Sequence, residues 1–277
     1  MSKQLVLKRF DPTKIKTDSI IVIVARRRSG KSFLVKDLLS YHAHNFSAAV
    51  VICPTEVFNH FYSDFIPPVF IHHQYKKEIL ERVIQRQTKL KKKRDREIAT
   101  KGHSNIDLSL LVVMDDCMND TSWTRDPNIR FLFLNGRHIG VCFIGLMQYA
   151  RNIPPDLRSQ VDYSFLLKEP SLENRKKLYD CFAASFPCFD VYSQVLEQVT
   201  ENRGVLVTDT TSQSGKLEDV VFWYRAEDPP PFKIGSRIFW EKNNNCLSSN
   251  DDGEDPDDFF DPKEPGAKKT TIKVRQD

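Results

Sequence analysis

The sequence lacks the features that mark membrane, secreted or zinc-bound proteins. No apolar run approaches the roughly 20 residues that cross a bilayer, and the opening residues, MSKQLVLKRF, lack the apolar stretch and cleavage site of a secretory signal. The six cysteines are scattered, without the close pairs typical of zinc sites. We therefore expect no membrane-spanning segment, and reduced thiols in a cytoplasmic type of compartment.

Net charge is also scarce, but the two signs are segregated along the chain. The 277 residues carry a formal charge of +4, yet residues 75–101 hold 11 basic residues against four acidic ones, and residues 251–264 hold eight acidic residues and one lysine. Apolar residues at helical spacing predict a basic helical segment over 75–103. The sequence from 242 to 277 has almost no aliphatic residues and predicts a disordered acidic tail, which leaves 1–241 for one domain.

Short apolar runs alternate with helical segments through this domain. The runs are rich in β-branched residues and lack polar alternation, as expected of strands buried on both faces of a parallel sheet. We predict strands at 18–25, 48–54, 109–115, 140–148, 161–168 and 204–209. We predict helices at 31–44, 75–96, 172–186 and 190–201, and a final hairpin at 205–209 and 219–224. The alternation indicates an α/β fold with a mostly parallel, doubly wound sheet.

A phosphate-binding loop, or P-loop, is predicted where the first strand meets the first helix. The joining segment is Ala25-Arg26-Arg27-Arg28-Ser29-Gly30-Lys31-Ser32, with alanine at the position where glycine is usual. In such a loop the backbone N–H groups surround a phosphate, the lysine reaches the β and γ phosphates of ATP, and the serine hydroxyl binds Mg²⁺. The alternatives are an accidental Gly-Lys-Ser turn and, for the three arginines, solvent-facing loop residues.

Two further buried strands end in polar residues that suit nucleotide hydrolysis. Asp115 and Asp116 end the run SLLVVMDD. In a P-loop protein such a pair supplies a Walker B aspartate that binds Mg²⁺ and an acidic residue that activates the attacking water. Gln148 ends the run GVCFIGLMQ, where a sensor of the γ-phosphate would lie. A helix-capping aspartate pair and an ordinary loop glutamine are the structural alternatives.

The order of the strands distinguishes between classes of P-loop protein. Along the chain, one predicted strand, 48–54, lies between the P-loop and the strand that ends in Asp115, and the strand that ends in Gln148 comes next. This order resembles the additional-strand, catalytic-acid (ASCE or RecA-like) class of ring ATPases. We find no Asn-Lys-x-Asp motif, by which GTPases read their base, after a predicted strand. A nucleoside or nucleotide kinase remains an alternative, in which residues 75–101 would form the lid.

Four stretches of the sequence, ARRRSGKS, LLVVMDDCM, NGRHIGVCFIGLMQY and IPPDLRSQVDYSFLLKEP, resemble a known family. This family is the DNA-packaging ATPases of nucleocytoplasmic large DNA viruses, the poxvirus-type branch of the FtsK-HerA superfamily, and the resemblance covers about residues 15–240. It implies Mg²⁺-dependent ATP hydrolysis by a homo-oligomeric ring that pushes double-stranded DNA into a preformed capsid, docked on a capsid or portal-vertex protein. It also implies a location at the viral assembly site in the host cytoplasm, and in the virion.

The same resemblance assigns roles to individual residues. Beyond ATP binding by residues 25–32 and Mg²⁺ binding by Ser32, it carries roles over to Asp115, Asp116, Gln148 and Arg137. Arg137 is the expected arginine finger, reaching the γ-phosphate held by the neighbouring subunit. Arg151 and Arg158 are rival fingers, and a purely structural arginine is the alternative reading of Arg137.

The basic segment 75–101 is the candidate for contacting DNA phosphates without reading sequence. A solvated, lysine-rich surface helix is the alternative. For the chain as a whole, a non-enzymatic P-loop protein in which nucleotide only controls assembly is the remaining alternative.

Overall fold

The computed structural model describes residues 5–117, 123, 125–150 and 153–249. Within these residues the strands are, in chain order, β1 (Lys8–Arg9), β2 (Ile20–Val24), β3 (Ala48–Ile52), β4 (Ile71–His72), β5 (Leu110–Asp115), β6 (Val141–Met147), β7 (Tyr163–Leu166), β8 (Val205–Asp209) and β9 (Val221–Tyr224). The helices are α1 (Lys31–Ser40), α2 (Glu56–Asn59), α3 (Lys77–Lys101), α4 (Pro127–Asn135), α5 (Pro155–Arg158), α6 (Leu172–Phe182), α7 (Phe189–Val199) and α8 (Arg237–Ser249).

The strands form one sheet in which a third strand separates the two that carry the nucleotide motifs. The order is β1-β9-β8-β7-β2-β6-β5-β3-β4, and the strands from β7 to β4 run parallel. β6 therefore lies between β2, which precedes the predicted P-loop, and β5, which ends in Asp115. This inserted strand defines the additional-strand class, so the predicted fold class is confirmed. The predicted hairpin is confirmed as well, because β8 and β9 pair antiparallel.

Strands β2, β3, β5 and β6 are buried along their whole length. Side chains alternate between the two faces of a strand, so complete burial requires that both faces of the sheet are covered. Leu34 and Leu38 of α1 belong to the same hydrophobic core, as do Leu80 and Val83 of α3. The β-branched runs of the sequence therefore form the centre of the fold.

The central strands end side by side at the edge that carries the motifs. Val24 at the end of β2 pairs with Met147 at the end of β6, and Asp115 at the end of β5 pairs with Leu146. Open α/β sheets bind their ligands outside the C-terminal ends of such strands. The register therefore brings the P-loop, the aspartate pair and Gln148 to one place.

Each predicted strand and helix overlaps an observed element of the same type, but some elements are not predicted. α4 begins at Pro127, after Asp126 caps the helix by accepting a hydrogen bond from the Asn128 N–H at 2.7 Å. β1 and β4 are two residues long, which is too short for a periodic pattern. These elements depend on local capping and on pairing with distant strands.

The predicted basic helical segment is α3, which is long but anchored at its first half. Ile79, Leu80 and Val83 are buried, and the buried Gln87 side chain donates hydrogen bonds to the carbonyl groups of Leu108 and Ile139. The second half is largely exposed and charged. Among the helices of the described ranges, none combines the length and apolarity of a membrane span.

The predicted start of the acidic tail, residue 242, falls inside α8, which continues to Ser249. α8 is held by tertiary contacts: the Phe239 ring stacks on Phe70 at 4.2 Å between centroids, and Asn243 Oδ1 accepts a hydrogen bond from the Val69 N–H at 3.4 Å. Such contacts outweigh the weak helix propensity of the asparagines. The predicted tail from residue 250 onward lies outside the described residues.

Candidate functional site

The predicted P-loop connects β2 to α1 through two left-handed backbone positions. Arg28 has a φ of 60° and Gly30 a φ of 92°. A Cβ added at Gly30 would have nothing within 4 Å, so the positive φ, rather than lack of space, favours glycine there. α1 begins at Lys31, and the unpaired N–H groups of its first turn therefore face the loop.

Lys31 is buried at the base of this loop. Its Nζ donates a hydrogen bond to the Ala25 carbonyl oxygen at 3.3 Å and lies 3.6 Å from Asp116 Oδ1. Ala25 is also buried, and its N–H donates to the Met147 carbonyl oxygen at 3.0 Å. The loop is thus attached to β6 at its start and to the aspartate pair through its lysine.

Asp115 places a buried carboxylate beside the P-loop serine. Asp115 is 3% exposed, and its Oδ2 accepts hydrogen bonds from the Tyr62 hydroxyl at 2.9 Å and, at the longer distance of 3.5 Å, from the Ser32 hydroxyl. Its Oδ1 has no hydrogen-bond partner among the described residues. The pKa of Asp115 is raised to about 6, mainly by burial and secondly by the charge of the neighbouring Asp116.

Asp116 and Gln148 meet opposite Lys31. Asp116 adopts a left-handed backbone conformation with a φ of 52°, which turns the chain at the end of β5. Gln148 Nε2 donates a hydrogen bond to Asp116 Oδ1 at 3.2 Å, the same oxygen that lies near Lys31 Nζ. The carboxylate of Asp116 is therefore held between an amide and an ammonium group, where it can accept a proton from a bound water.

Lys31 and Asp116 open onto a cleft of about 730 Å³. Its walls are the predicted P-loop residues 26–32 together with Phe33, Thr55 and Asp116. Three arginines, one lysine and the first turn of a helix make this a positively charged cleft, which suits a polyphosphate. Phe33 and Thr55 are additions that the sequence patterns do not predict.

Two of the candidate arginine fingers, Arg137 and Arg158, do not line this cleft. Arg137 is exposed and precedes β6, whose seven residues span about 20 Å before the edge of the sheet that carries the P-loop. Arg137 therefore cannot reach the P-loop of its own chain. Arg158 Nη1 donates to Cys181 Sγ at 2.8 Å, and Arg151 lies outside the described residues.

Two further residues of the site carry no sequence signal. Tyr62 is buried, and burial raises its pKa well above the usual value, so that it remains a hydrogen-bond donor to Asp115. Its position is fixed by the buried Glu56, whose carboxylate accepts hydrogen bonds from the N–H groups of Tyr62 and Ser63 at 3.0 and 2.8 Å. A tyrosine in a loop becomes recognisable as a site residue only when the fold places it beside β5.

The family of the chain follows from comparison with known proteins. The sequence profile of the family described as poxvirus A32 protein matches residues 7–180, more than half of the chain. The chain belongs to the poxvirus A32 protein family. The predicted kinship with poxvirus-type packaging ATPases is thereby confirmed.

Relatives of this A32-family chain occur in large DNA viruses of different hosts. Protein L437 of Acanthamoeba polyphaga mimivirus is 37% identical over 234 residues, which cover 84% of this chain and 81% of the relative. Protein 015R of Frog virus 3 is 37% identical over 225 residues, which cover 80% of this chain and 66% of the relative. The similarity therefore extends beyond the region that the family profile matches.

Solved structures match the fold of this A32-family chain at low sequence identity. The genome packaging NTPase B204 of Sulfolobus turreted icosahedral virus 2, in complex with sulfate, superposes with a TM-score of 0.52 at 16% identity, over 77% of this chain and 98% of that protein. EssC of Geobacillus thermodenitrificans also gives a TM-score of 0.52, at 12% identity, over 83% of this chain and 44% of that protein. Both matches establish the fold shared with P-loop ATPases.

We expect Asp115→Asn to stabilise the protein without nucleotide or metal, and to do so more at pH 8 than at pH 4. Because the pKa of Asp115 is raised on folding, the stability that the protonated group contributes at low pH is lost as the pH rises through about 6. Asparagine stays neutral and avoids this loss, worth about 3 kcal/mol at pH 8. Urea unfolding at both pH values measures the effect.

The matched control for this prediction is the exposed Asp64. Asp64→Asn should change the free energy of unfolding by little at either pH. A stabilisation by Asp115→Asn that is equal at pH 4 and pH 8, or a loss of stability at pH 8, would contradict the burial argument.

Proposed function

We propose that the chain is a Mg²⁺-dependent ATPase that drives double-stranded viral DNA into capsids. The observation that carries the proposal is the convergence of Lys31, Asp115, Asp116 and Gln148 beside the P-loop, in a member of the poxvirus A32 family. The Sulfolobus virus protein that shares the fold is described as a genome packaging NTPase. The proposal extends that description to this chain.

The P-loop residues 25–32 bind the phosphates of ATP in this proposal. Backbone N–H groups of the loop and of the first turn of α1 supply the hydrogen bonds, and Lys31 supplies a charge at the base of the cleft. Lys31 exchanges its hydrogen bond with the Ala25 carbonyl oxygen for the β and γ phosphates. Phe33, half-exposed in the cleft wall, offers an apolar surface to the nucleoside.

The residues present fit a divalent cation at Asp115 and Ser32. Asp115 Oδ1 is buried without a partner among the described residues, and carboxylate oxygens are preferred ligands of Mg²⁺. The Ser32 hydroxyl donates a hydrogen bond to the other oxygen of the same carboxylate. When bound, Mg²⁺ neutralises phosphate charge that develops during transfer. A cation would also offset the cost of keeping Asp115 ionised at a buried position.

Asp116 and Gln148 divide the remaining work in hydrolysis. Asp116 accepts the proton of the attacking water, because its carboxylate is half-buried at the cleft and oriented by two neighbours. Gln148 holds Asp116 until nucleotide binds, and its amide then reports the γ-phosphate by changing hydrogen-bond partner. A neighbouring subunit's Arg137 completes the site, which requires a homo-oligomeric ring.

The proposed partners follow from the motor function. Double-stranded DNA is contacted by the exposed second half of α3, where Lys92, Lys93, Arg94 and Arg96 are solvent-exposed. A capsid or portal-vertex protein anchors the ring, at the assembly site in the host cytoplasm and in the virion. α3 does not line the nucleotide cleft and is fixed by buried residues, which argues against the lid of a nucleoside or nucleotide kinase.

We expect the purified protein to hydrolyse ATP and long double-stranded DNA to stimulate this hydrolysis. Lys31→Ala should lower turnover about 100-fold or more, because it removes a charge that stabilises the transferred phosphate. Lys36→Ala, on the same helix but outside the cleft, is the matched control and should keep turnover. Steady-state release of phosphate is the measurement.

Each alternative outcome of this assay has a meaning. If DNA does not change the rate of hydrolysis and the protein transfers phosphate to a nucleoside, the chain is a kinase and the motor proposal is wrong. An absence of hydrolysis with DNA present would favour the nucleotide-controlled assembly subunit. Unchanged turnover in Lys31→Ala would remove the P-loop assignment.

We expect Arg137→Ala and Lys31→Ala subunits to be inactive alone and to regain hydrolysis when mixed. In a ring, an intact P-loop of the first variant would then face an intact arginine of the second, at roughly a quarter of the interfaces. In the control, Arg137→Ala subunits are mixed with the double variant Lys31→Ala/Arg137→Ala. This mixture contains no intact Arg137, so hydrolysis should not be restored. Hydrolysis by Arg137→Ala alone at the wild-type rate would rule out Arg137 as the finger.

We expect replacement of lysines 91–93 by glutamine to flatten the salt dependence of DNA binding. Each phosphate contact contributes about 0.9 to the slope of log K against log salt, so the loss of three contacts lowers the slope by up to about three. Fluorescence anisotropy with a duplex at several salt concentrations measures it. The control replaces three exposed lysines elsewhere: Lys14, Lys16 and Lys176. Equal slopes for the two triple variants would leave α3 as a solvated helix.

A further inference from the structure

A second cleft lies between the sheet and helices α5 and α6, outside the nucleotide site. It has a volume of about 350 Å³, and Arg158, Ser164, Asp180, Cys181 and Thr208 are among the residues that line it. None of its lining residues lines the nucleotide cleft. Small-molecule sites in proteins commonly have volumes in this range.

Two buried hydroxyl groups in this cleft lack hydrogen-bond partners among the described residues. Ser164 on β7 and Thr208 on β8 are each 2% exposed, and neither Ser164 Oγ nor Thr208 Oγ1 is paired. The two residues are directly opposite in the antiparallel register, so their side chains lie on the same face of the sheet. Buried hydroxyls are normally paired, and two unpaired ones side by side mark a position for a hydrogen-bonding ligand.

Arg158 brings a positive charge to the same cleft. Its Nη1 donates a hydrogen bond to Cys181 Sγ at 2.8 Å, which holds the guanidinium against α6. Its Nε is buried and has no partner within the described part of the chain. A held guanidinium with an unused N–H, next to two hydroxyl donors, is a donor set for carboxylate or phosphate oxygens.

We propose that this cleft, the Arg158 cleft, binds a small molecule through an oxyanion, either a carboxylate or a phosphate group. The oxyanion binds between Arg158 and the hydroxyl pair of Ser164 and Thr208. Asp180 is exposed and also lines the cleft, so it selects for a ligand that is neutral or positively charged at its other end.

Other carboxylates near the Arg158 cleft are already engaged. Asp156 forms an ion pair with Arg130, and Asp162 Oδ2 accepts a hydrogen bond from the Ile20 N–H at 2.7 Å. Among the described residues, neither carboxylate forms an ion pair with the Arg158 guanidinium. The site stands independently of the proposed ATPase function, because it shares no residue with the P-loop.

The test is a thermal unfolding titration of the full chain with inorganic phosphate and, separately, with sodium acetate. Lys31→Ala serves as the background, so that phosphate binding at the P-loop is weakened, and sodium chloride keeps the ionic strength constant. A ligand of the folded state raises Tm in a saturable way. A response to phosphate alone identifies a phosphate ligand, and a response to acetate alone identifies a carboxylate ligand.

Variants attribute this response to the Arg158 cleft. Arg158→Gln and Thr208→Val should each weaken the apparent affinity about tenfold or more, because each removes a donor to the oxyanion. Thr200→Val is the matched control: Thr200 is also 2% exposed, but its hydroxyl is paired with the Leu196 carbonyl oxygen at 2.6 Å. It should lower Tm and leave the anion response unchanged.

The same variants test the unpaired hydroxyl without ligand. In chloride buffer, Thr208→Val should leave Tm unchanged or raise it, because it removes a buried hydroxyl that has no partner. The proposal is overturned if neither phosphate nor acetate raises Tm beyond chloride. It is also overturned if the response survives in both Arg158→Gln and Thr208→Val, since the anion then binds elsewhere.

Discussion

The proposed nucleotide site is organised around the cost of burying the Asp115 carboxylate. Burial at the end of β5 removes water and so disfavours the charged form of Asp115. Hydrogen bonds from the Tyr62 and Ser32 hydroxyls to Oδ2 offset part of this cost. The other oxygen has no protein partner in the described residues. In the proposed function, a cation at Asp115 would supply the remaining compensation, and its binding would recover energy that folding did not.

The parallel sheet determines which polar groups can share this environment. Because β6 lies between β2 and β5, the residue that follows β6 emerges between the P-loop and the aspartate pair. Gln148 consequently contacts Asp116, and Asp116 contacts Lys31. If β2 and β5 were direct neighbours, no strand would end between them, and the glutamine that contacts Asp116 in this structure would have no place beside it.

Much of the fold and part of the site could be predicted from the sequence, because their signals are local. Uniform β-branched runs identify strands buried on both faces, and the spacing from Ala25 to Ser32 identifies a loop whose backbone conformation is fixed within eight residues. Tyr62 and the extension of α8 could not be predicted, since each depends on contacts with residues far along the chain. The Arg158 cleft could not be predicted either. Its two hydroxyl groups belong to single polar residues in otherwise apolar strands, and only the pairing of β7 with β8 brings them together.

The polarity of the sheet also constrains how subunits can cooperate. The P-loop lies at the C-terminal ends of the parallel strands, and Arg137 lies before the start of β6, at the opposite edge. In a two-fold symmetric dimer, Arg137 could reach the partner's P-loop only through one patch that contains both, and the two lie about 20 Å apart, at opposite ends of β6. A head-to-tail contact places the edge with Arg137 against the nucleotide edge of the next subunit. Repetition of that contact closes a ring or extends a filament, so the proposed arginine finger and the proposed ring require the same interface.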